Sequence, residues 1–517
     1  MKNIDILTFI IYFLLFCIIG LVAGRKRKSN AADFFIQQNK LPWYLIGFSY
    51  IAAGASSEQF IGTVGSVYSR GMVIANWEWG NAIPIMVMVV FFIPYYLKNR
   101  IVTIPEFLEK RFNTKVKLLF AFISILIYIF INLAGVLYTG AYAMSGILGI
   151  NLYLCIGSII TIVGFFVIYG GMASIAWTNV MQALMLIGSG ITIFIIGLFT
   201  VPGGWETIIG SGPRANLIKP VDDPDVPWTA ILVLMFSTNI WYYCTNQHIN
   251  QTTLGAKNAW HAKMGIIFAG MLWIIIPFAD VFPGLIAYAL EPNLPSPDGA
   301  FIYVVDRLIP AGGAGIIYGV LIFSVVSSIQ SGINAVSSIF IFNIYKELIN
   351  KHATEQKLIK TGRFFAAVVL IIGAFYAPIV GSFSHIFDFF QQCWVFVAAP
   401  ISITFLLSMI TKRINSKLAF ILLMLTFPMF LAPYAVKQIG ITMNIYNLAG
   451  IVWACLMVFA VSYMFLFNPE PVVSKNDDSI GIYVKDTAEI QMPWYKSIAF
   501  WGSIMVLAYL TIYIIFW

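Results

Sequence analysis

From residue 51 the chain reads Ile51-Ala52-Ala53-Gly54-Ala55-Ser56-Ser57-Glu58-Gln59-Phe60, and this run falls midway along an apolar stretch from about 41 to 68. A regular α-helix would turn Ser56, Ser57, Glu58 and Gln59 to every side in succession. A small-residue packing face between helices explains Gly54 and Ala55 but not four polar residues in a row. The run therefore predicts a helix that unwinds at membrane depth. Such a break frees backbone carbonyls to ligate a cation, and the half-helix that follows carries a partial positive charge at its N-terminus.

The whole chain supports that depth. It has 517 residues, 60% hydrophobic and 10% charged, with a mean hydropathy of +0.87, where a soluble chain carries about 25% charged residues. Apolar runs long enough to cross a bilayer as helices fall at about 5–24, 41–68, 72–97, 118–148, 152–170, 178–200, 228–250, 264–290, 312–345, 364–380, 384–411, 418–433, 444–467 and 497–517. The expected fold is an all-α integral membrane protein of about 14 transmembrane helices. A membrane β-barrel would instead alternate polarity over about ten residues per strand. Cys17, Cys155, Cys244, Cys393 and Cys455 lie singly in apolar runs and outline no disulfide framework.

Charge sets the orientation. Arg25 to Lys28 follow the first apolar run, the reverse of a secretory signal, which predicts a retained helix with its N-terminus outside. Alternating the connections from there places 24 of the 30 Lys and Arg on the cytoplasmic side. Lys2, Arg70, Arg214, Lys219, Arg307 and Lys437 lie opposite, and none falls within a span. The basic balance is thus membrane topology rather than a nucleic-acid surface. Both termini are expected on the extracytoplasmic side of a cell (inner) membrane. The connections at 201–227, 291–311 and 468–496 are too short to form soluble domains.

Among acids within spans, Glu58, Glu78, Asp280 and Asp388 lack an intramembrane Lys or Arg, so each needs a wet cavity, a cation, a hydrogen-bond partner or a proton. The sequence leaves open whether Glu58, Asp280 and Asp388 are functional or structural. A second interruption, Ser237-Thr238-Asn239-Ile240-Trp241-Tyr242-Tyr243-Cys244-Thr245-Asn246-Gln247, falls five spans after the first. That spacing predicts two five-helix repeats, each opening with a broken helix. Ser324, Ser327, Ser328 and Ser331 share one helical face, which beside an unwound helix suits a cation bound by hydroxyls and carbonyls without fixed charge.

At these residues the chain resembles the sodium:solute symporter family, in its sodium/glucose cotransporter branch. The shared motifs are the run at 52–62, Thr103-Ile104-Pro105-Glu106-Phe107 with Glu109-Lys110-Arg111-Phe112, Tyr169-Gly170-Gly171, Trp177-Thr178, and more loosely Asn343-Ile344-Tyr345-Lys346-Glu347. The resemblance implies a five-plus-five inverted-repeat, leucine-transporter-like core. Residues 1–40 would form a first helix and basic loop, 41–200 the first repeat, 201–227 an extracellular loop, 228–411 the second repeat and 412–517 three further helices. It implies a sodium ion on the carbonyls of Ala52, Ala55 and Ser324 and the hydroxyls of Ser327 and Ser328. Gln59, Glu78, Asn239 and Gln391 match sugar-contact positions, with Tyr242 as inner gate and Phe387 as outer gate. Trp77, Asn81 and Trp273 also fall at contact positions, where bacterial galactose-transporting members have Tyr, Ser and Lys, and Gly54 stands in place of an Asn. Asn179 replaces an acid linked in some members to a second sodium.

The expected function is a sodium-coupled symporter that imports a neutral sugar or polyol by alternating access, with one sodium per solute. Its partners would be a small solute, sodium and the bilayer, and no nucleic acid. Alternative solutes are inositol-like, amino acid, carboxylate or cationic compounds. A channel or a transporter-like sensor is less well served by gate aromatics and short connections. An enzyme is not expected: His248, His261, His352 and His385 form no metal spacing, and no nucleophile motif appears.

Overall fold

The computed structural model describes residues 2–24, 30–37, 39–55, 58–169, 171–210, 212–383, 386–432, 435, 438–440, 443–467 and 493–517. The side chains of 58, 59, 167–169 and 213 fall outside the description, as do Arg25 to Lys28, Ser56, Ser57, Gly170 and Lys437. Ten helices among the described residues are long and apolar enough to cross a membrane. Two shorter apolar helices, Leu152–Phe166 and Ser416–Met429, and two interrupted spans bring the crossings to the expected fourteen.

Local chemistry sets where these helices begin. Asn113, Asn258, Thr354, Asn415 and Ser497 each accept a backbone N–H of the first turn that follows, supplying partners that the helix cannot. Several helices outrun the apolar stretches that announced them. The fourth begins at Thr114, the sixth at Gly171, the eighth at Ala259 and the tenth at Glu355. Lys117 and Lys263, expected in connections, are consequently buried helix residues. Each extension continues past the apolar band on polar residues that backbone hydrogen bonding tolerates, which hydropathy alone does not register.

Both interrupted spans start immediately after a proline in extended conformation, Pro42 and Pro227. The second span runs as Trp43–Gly54, leaves the helix at Ala55 (φ −106°, ψ 105°), and resumes as a π-helical turn, Glu58–Thr63, followed by Val64–Arg70. The seventh runs from Trp228 through π-helical turns to Thr245, breaks at Asn246 (φ −83°, ψ 121°), and resumes as Gln247–Leu254. The ninth span, Gly313–Ile349, is the centre of the bundle: 94% of its apolar window is buried, against 17% for the first span and 11% for the thirteenth. The latter two present their apolar residues outward, as lipid-facing helices do.

The motif at 103–112 ties the ends of these spans together. Ile104 N–H donates to Gln247 Oε1 (2.7 Å), Asn343 Nδ2 donates to Thr103 (2.8 Å), and Arg111 donates to the carbonyls of Ser408 (3.2 Å) and Thr411 (3.0 Å). One short helix, Ile104–Arg111, thus grips the seventh, ninth and eleventh spans.

Candidate functional site

Unwinding at Ala55 leaves the last carbonyls of the helix Trp43–Gly54 without intrahelical donors. Three side chains from elsewhere in the chain converge on them. Ser328 Oγ lies 3.4 Å from the Ala52 carbonyl, His248 Nε2 lies 3.1 Å from that of Ala53, and Tyr242 Oη lies 3.5 Å from that of Gly54. Each nitrogen of the His248 ring faces an acceptor, Nε2 the Ala53 carbonyl and Nδ1 Asn246 Oδ1 (3.1 Å), and a neutral imidazole donates to one of the two. The break is therefore a cluster of carbonyl oxygens at a helix C-terminus, the end that favours positive charge.

Of the expected cation ligands, Ser328 and Ala52 are in contact here, and all five are buried. Ala52, Ala55, Ser324 and Ser327 are at most 1% exposed, and Ser328 is 6% exposed. The Ser324 hydroxyl donates to its own helix at Leu321 (2.6 Å), so only its carbonyl is available. Ser327 Oγ is buried with no hydrogen-bond partner among the described residues, a costly state for a hydroxyl that a bound cation would relieve. A cavity of about 20 Å³ adjoins the cluster, lined by Ala53, Tyr128, Tyr242, His248, Ser328, Phe390 and Trp394.

The expected solute residues separate into two groups. Asn239 Nδ2 donates to Asn81 Oδ1 (2.8 Å) and Asn81 Nδ2 donates to Tyr243 Oη (2.9 Å). The Trp273 ring lies 5.9 Å from that of Tyr243 and packs against Gly54, where an added Cβ would meet it at 3.0 Å. Glu78, 1% exposed, lies within electrostatic reach of Tyr243. The second group faces a vestibule of about 540 Å³ beside residues 221–226, lined by Arg70, Asp388, Gln391 and Tyr446. Trp77 stacks edgewise on Phe387 (5.2 Å) and on Tyr446 (5.6 Å), which lines that vestibule. Gln391 is 3% exposed and its Oε1 has no partner among the described residues. The Gln59 side chain lies outside the described residues.

Two features differ from the reading of the sequence. Asp388 does have a cationic partner, because Arg70, counted among the connections, ends the second span and donates to it at 2.9 and 3.3 Å. Arg70 also approaches Asp225 at 3.6 Å. A double-mutant cycle with Arg70→Ala and Asp388→Ala, read by unfolding in detergent, is expected to give a coupling energy of about 1 kcal/mol. His248 and Tyr243 were not singled out, since only the folding of the seventh span onto the second brings them to the break.

This geometry has known counterparts. Residues 34–425 match the Sodium:solute symporter family. The chain is 34% identical to a sodium/glucose cotransporter of Vibrio parahaemolyticus, with 99% of this chain and 98% of that one covered.

The chain belongs to the sodium:solute symporter family.

It is also 30% identical to the mouse sodium/myo-inositol cotransporter, over 80% of this chain and 64% of that protein. The fold of this symporter matches that of a Na+-coupled sialic acid symporter solved in a substrate-bound outward-open state, with a TM-score of 0.77, 22% identity, and 92% and 99% of the two chains covered. A nucleobase-cation-symport-1 family transporter aligns at a TM-score of 0.51 and 16% identity, over 85% of this chain and 97% of that one. The all-α, leucine-transporter-like fold expected of the sequence is therefore the fold of this multi-pass membrane transporter. The protein is a sodium-coupled symporter and not an enzyme.

Proposed function

We propose that this symporter imports a neutral sugar or polyol, moving one sodium per solute across a cell (inner) membrane in which both termini face the extracytoplasmic side. The observation that carries the reading is the pairing of two sites with opposite chemistry. A cage of carbonyls and serine hydroxyls without fixed charge suits sodium. Beside it, the Asn81, Asn239 and Tyr243 network and the indole of Trp273, with the indole of Trp77 in the second group of residues, suit a ligand with many hydroxyls and apolar faces. Relatives named for glucose and myo-inositol support that class. The sodium is assigned to Ala52, Ala55, Ser324, Ser327 and Ser328. Gln59, Glu78, Asn81, Asn239, Gln391, Trp77 and Trp273 are assigned to the solute, Tyr242 to the inner gate and Phe387 to the outer gate. The two repeats are taken as 41–200 and 228–411.

Uptake of a panel of labelled sugars, polyols, amino acids and amines into proteoliposomes, with and without a sodium gradient, tests the reading. A panel in which only charged solutes accumulate would refute it. Within the solute site, Asn239→Ala and Gln391→Ala are each expected to weaken solute binding by about tenfold to a hundredfold, the cost of leaving one buried polar partner unpaired. Isothermal titration of the purified variants measures this, and unchanged affinity in both would move the pocket elsewhere.

A further inference from the structure

Asp280, in the eighth span, and Glu78, in the third, are both fully enclosed, at 0% and 1% exposure. Their carboxyls lie within electrostatic reach of each other. Among the described residues none of the four carboxyl oxygens has a hydrogen-bond partner, and the nearby backbone N–H groups of Glu78, Asp280 and Val281 do not meet bonding geometry. Two neighbouring carboxylates at membrane depth without a base are untenable, because desolvation and mutual repulsion both oppose ionisation.

The surroundings limit what can neutralise them. Two phenols approach, Tyr243 and Tyr509. The Tyr243 oxygen accepts from Asn81 Nδ2 (2.9 Å) and makes no hydrogen bond to Glu78, and the Tyr509 hydroxyl donates to the Gly270 carbonyl (2.9 Å). The stretches packed on the eighth span nearby, around Val64 to Val67 and at Gly190, bring no titratable side chain. Glu206, Asp306 and Arg307, on neighbouring elements, are exposed, and the Glu58 side chain lies outside the described residues. Sodium needs about five oxygens; a proton needs only the two carboxyls.

We propose that Glu78 and Asp280 form a proton-binding site, in which two neighbouring, fully enclosed carboxyls are kept neutral by bound protons. A protonated Glu78 presents a hydroxyl donor as well as an acceptor to the pocket wall shared with Tyr243 and Asn81. Proton binding thereby adjusts the solute site without adding a carried charge. The contribution is present at low pH and is lost as pH rises and the pair ionises.

Infrared spectra of the purified full-length protein, recorded without solute and with choline in place of sodium, test the assignment. At pH 7 the wild type is expected to carry a carboxylic-acid C=O band that Asp280→Asn and Glu78→Gln each remove or shift, and that survives the addition of sodium. Identical carboxylic-acid absorption in all three proteins overturns the proposal. So does a band bleached by sodium, which would make the pair a metal-cation site. Absence of any such band from the wild type between pH 6 and pH 9 decides against it even if neither variant folds. The inference rests on the proposed solute site for its consequence alone: wild-type solute affinity should fall about tenfold or more from pH 6 to pH 9, and by less in Asp280→Asn. The infrared result requires neither solute nor sodium, so its failure is distinguishable from failure of the proposed function.

Discussion

Ser328→Ala is expected to reduce sodium-driven solute accumulation to the level of passive equilibration. Ser328 bridges the ninth span to the break in the second through the Ala52 carbonyl at 3.4 Å. In a cage with no carboxylate every oxygen carries a large share of the stabilisation, and the buried site offers no described substitute for the one removed. Leaving a buried polar group unsatisfied costs about 1 to 3 kcal/mol, which corresponds to roughly tenfold to a hundredfold in sodium affinity. Coupling suffers more than affinity. An empty cage lets the solute site change sides without the ion, and the sodium gradient then does no work on the solute. Ser324→Ala is the matched control, because the hydroxyl it removes is bonded within its own helix at Leu321 (2.6 Å) while the backbone carbonyl assigned to the cage remains. Sodium-driven accumulation at the wild-type level in Ser328→Ala vesicles would refute the assigned cage.

How much of this was legible beforehand follows from how local each signal is. The break in the second span was visible because Ser56 to Gln59 violate helical periodicity over four adjacent residues, and the serine face of the ninth span because its spacing lies within one helix. Contacts set by the rotation of one helix against another were not visible. His248 reaches the Ala53 carbonyl across 195 positions of sequence, and nothing in a lone histidine announces that. Arg70 was assigned to a connection from hydropathy alone, so its pairing with Asp388, 318 residues away, was missed. Glu78 and Asp280 could each be flagged as acids out of place, yet that they lie within electrostatic reach of one another depends on how the third and eighth spans pack.

The second large effect is the charge carried per transport cycle. One sodium per neutral solute is expected, because the cage at Ala52, Ala55, Ser324, Ser327 and Ser328 is the complete set of assigned ligands. At the neighbouring position Asn179 brings an amide, whose Nδ2 donates to Ser331 Oγ at 3.2 Å, in place of an acid. A membrane potential of about 100 mV contributes roughly 2.3 kcal/mol per charge, and a tenfold sodium gradient adds about 1.4 kcal/mol. Together, about 3.7 kcal/mol supports roughly 500-fold accumulation, whereas two sodium ions would square that ratio. Protons that stay on Glu78 and Asp280 throughout the cycle carry no charge across and leave the ratio unchanged. The reversal potential of solute flux in proteoliposomes, measured at several imposed solute ratios, separates the two cases. A two-to-one result would direct attention to Asn179 Oδ1 and Ser327 Oγ, both buried without a hydrogen-bond partner among the described residues. It would mean that neutral oxygens suffice for a second ion, and the loss of the acid at 179 would then carry no functional weight.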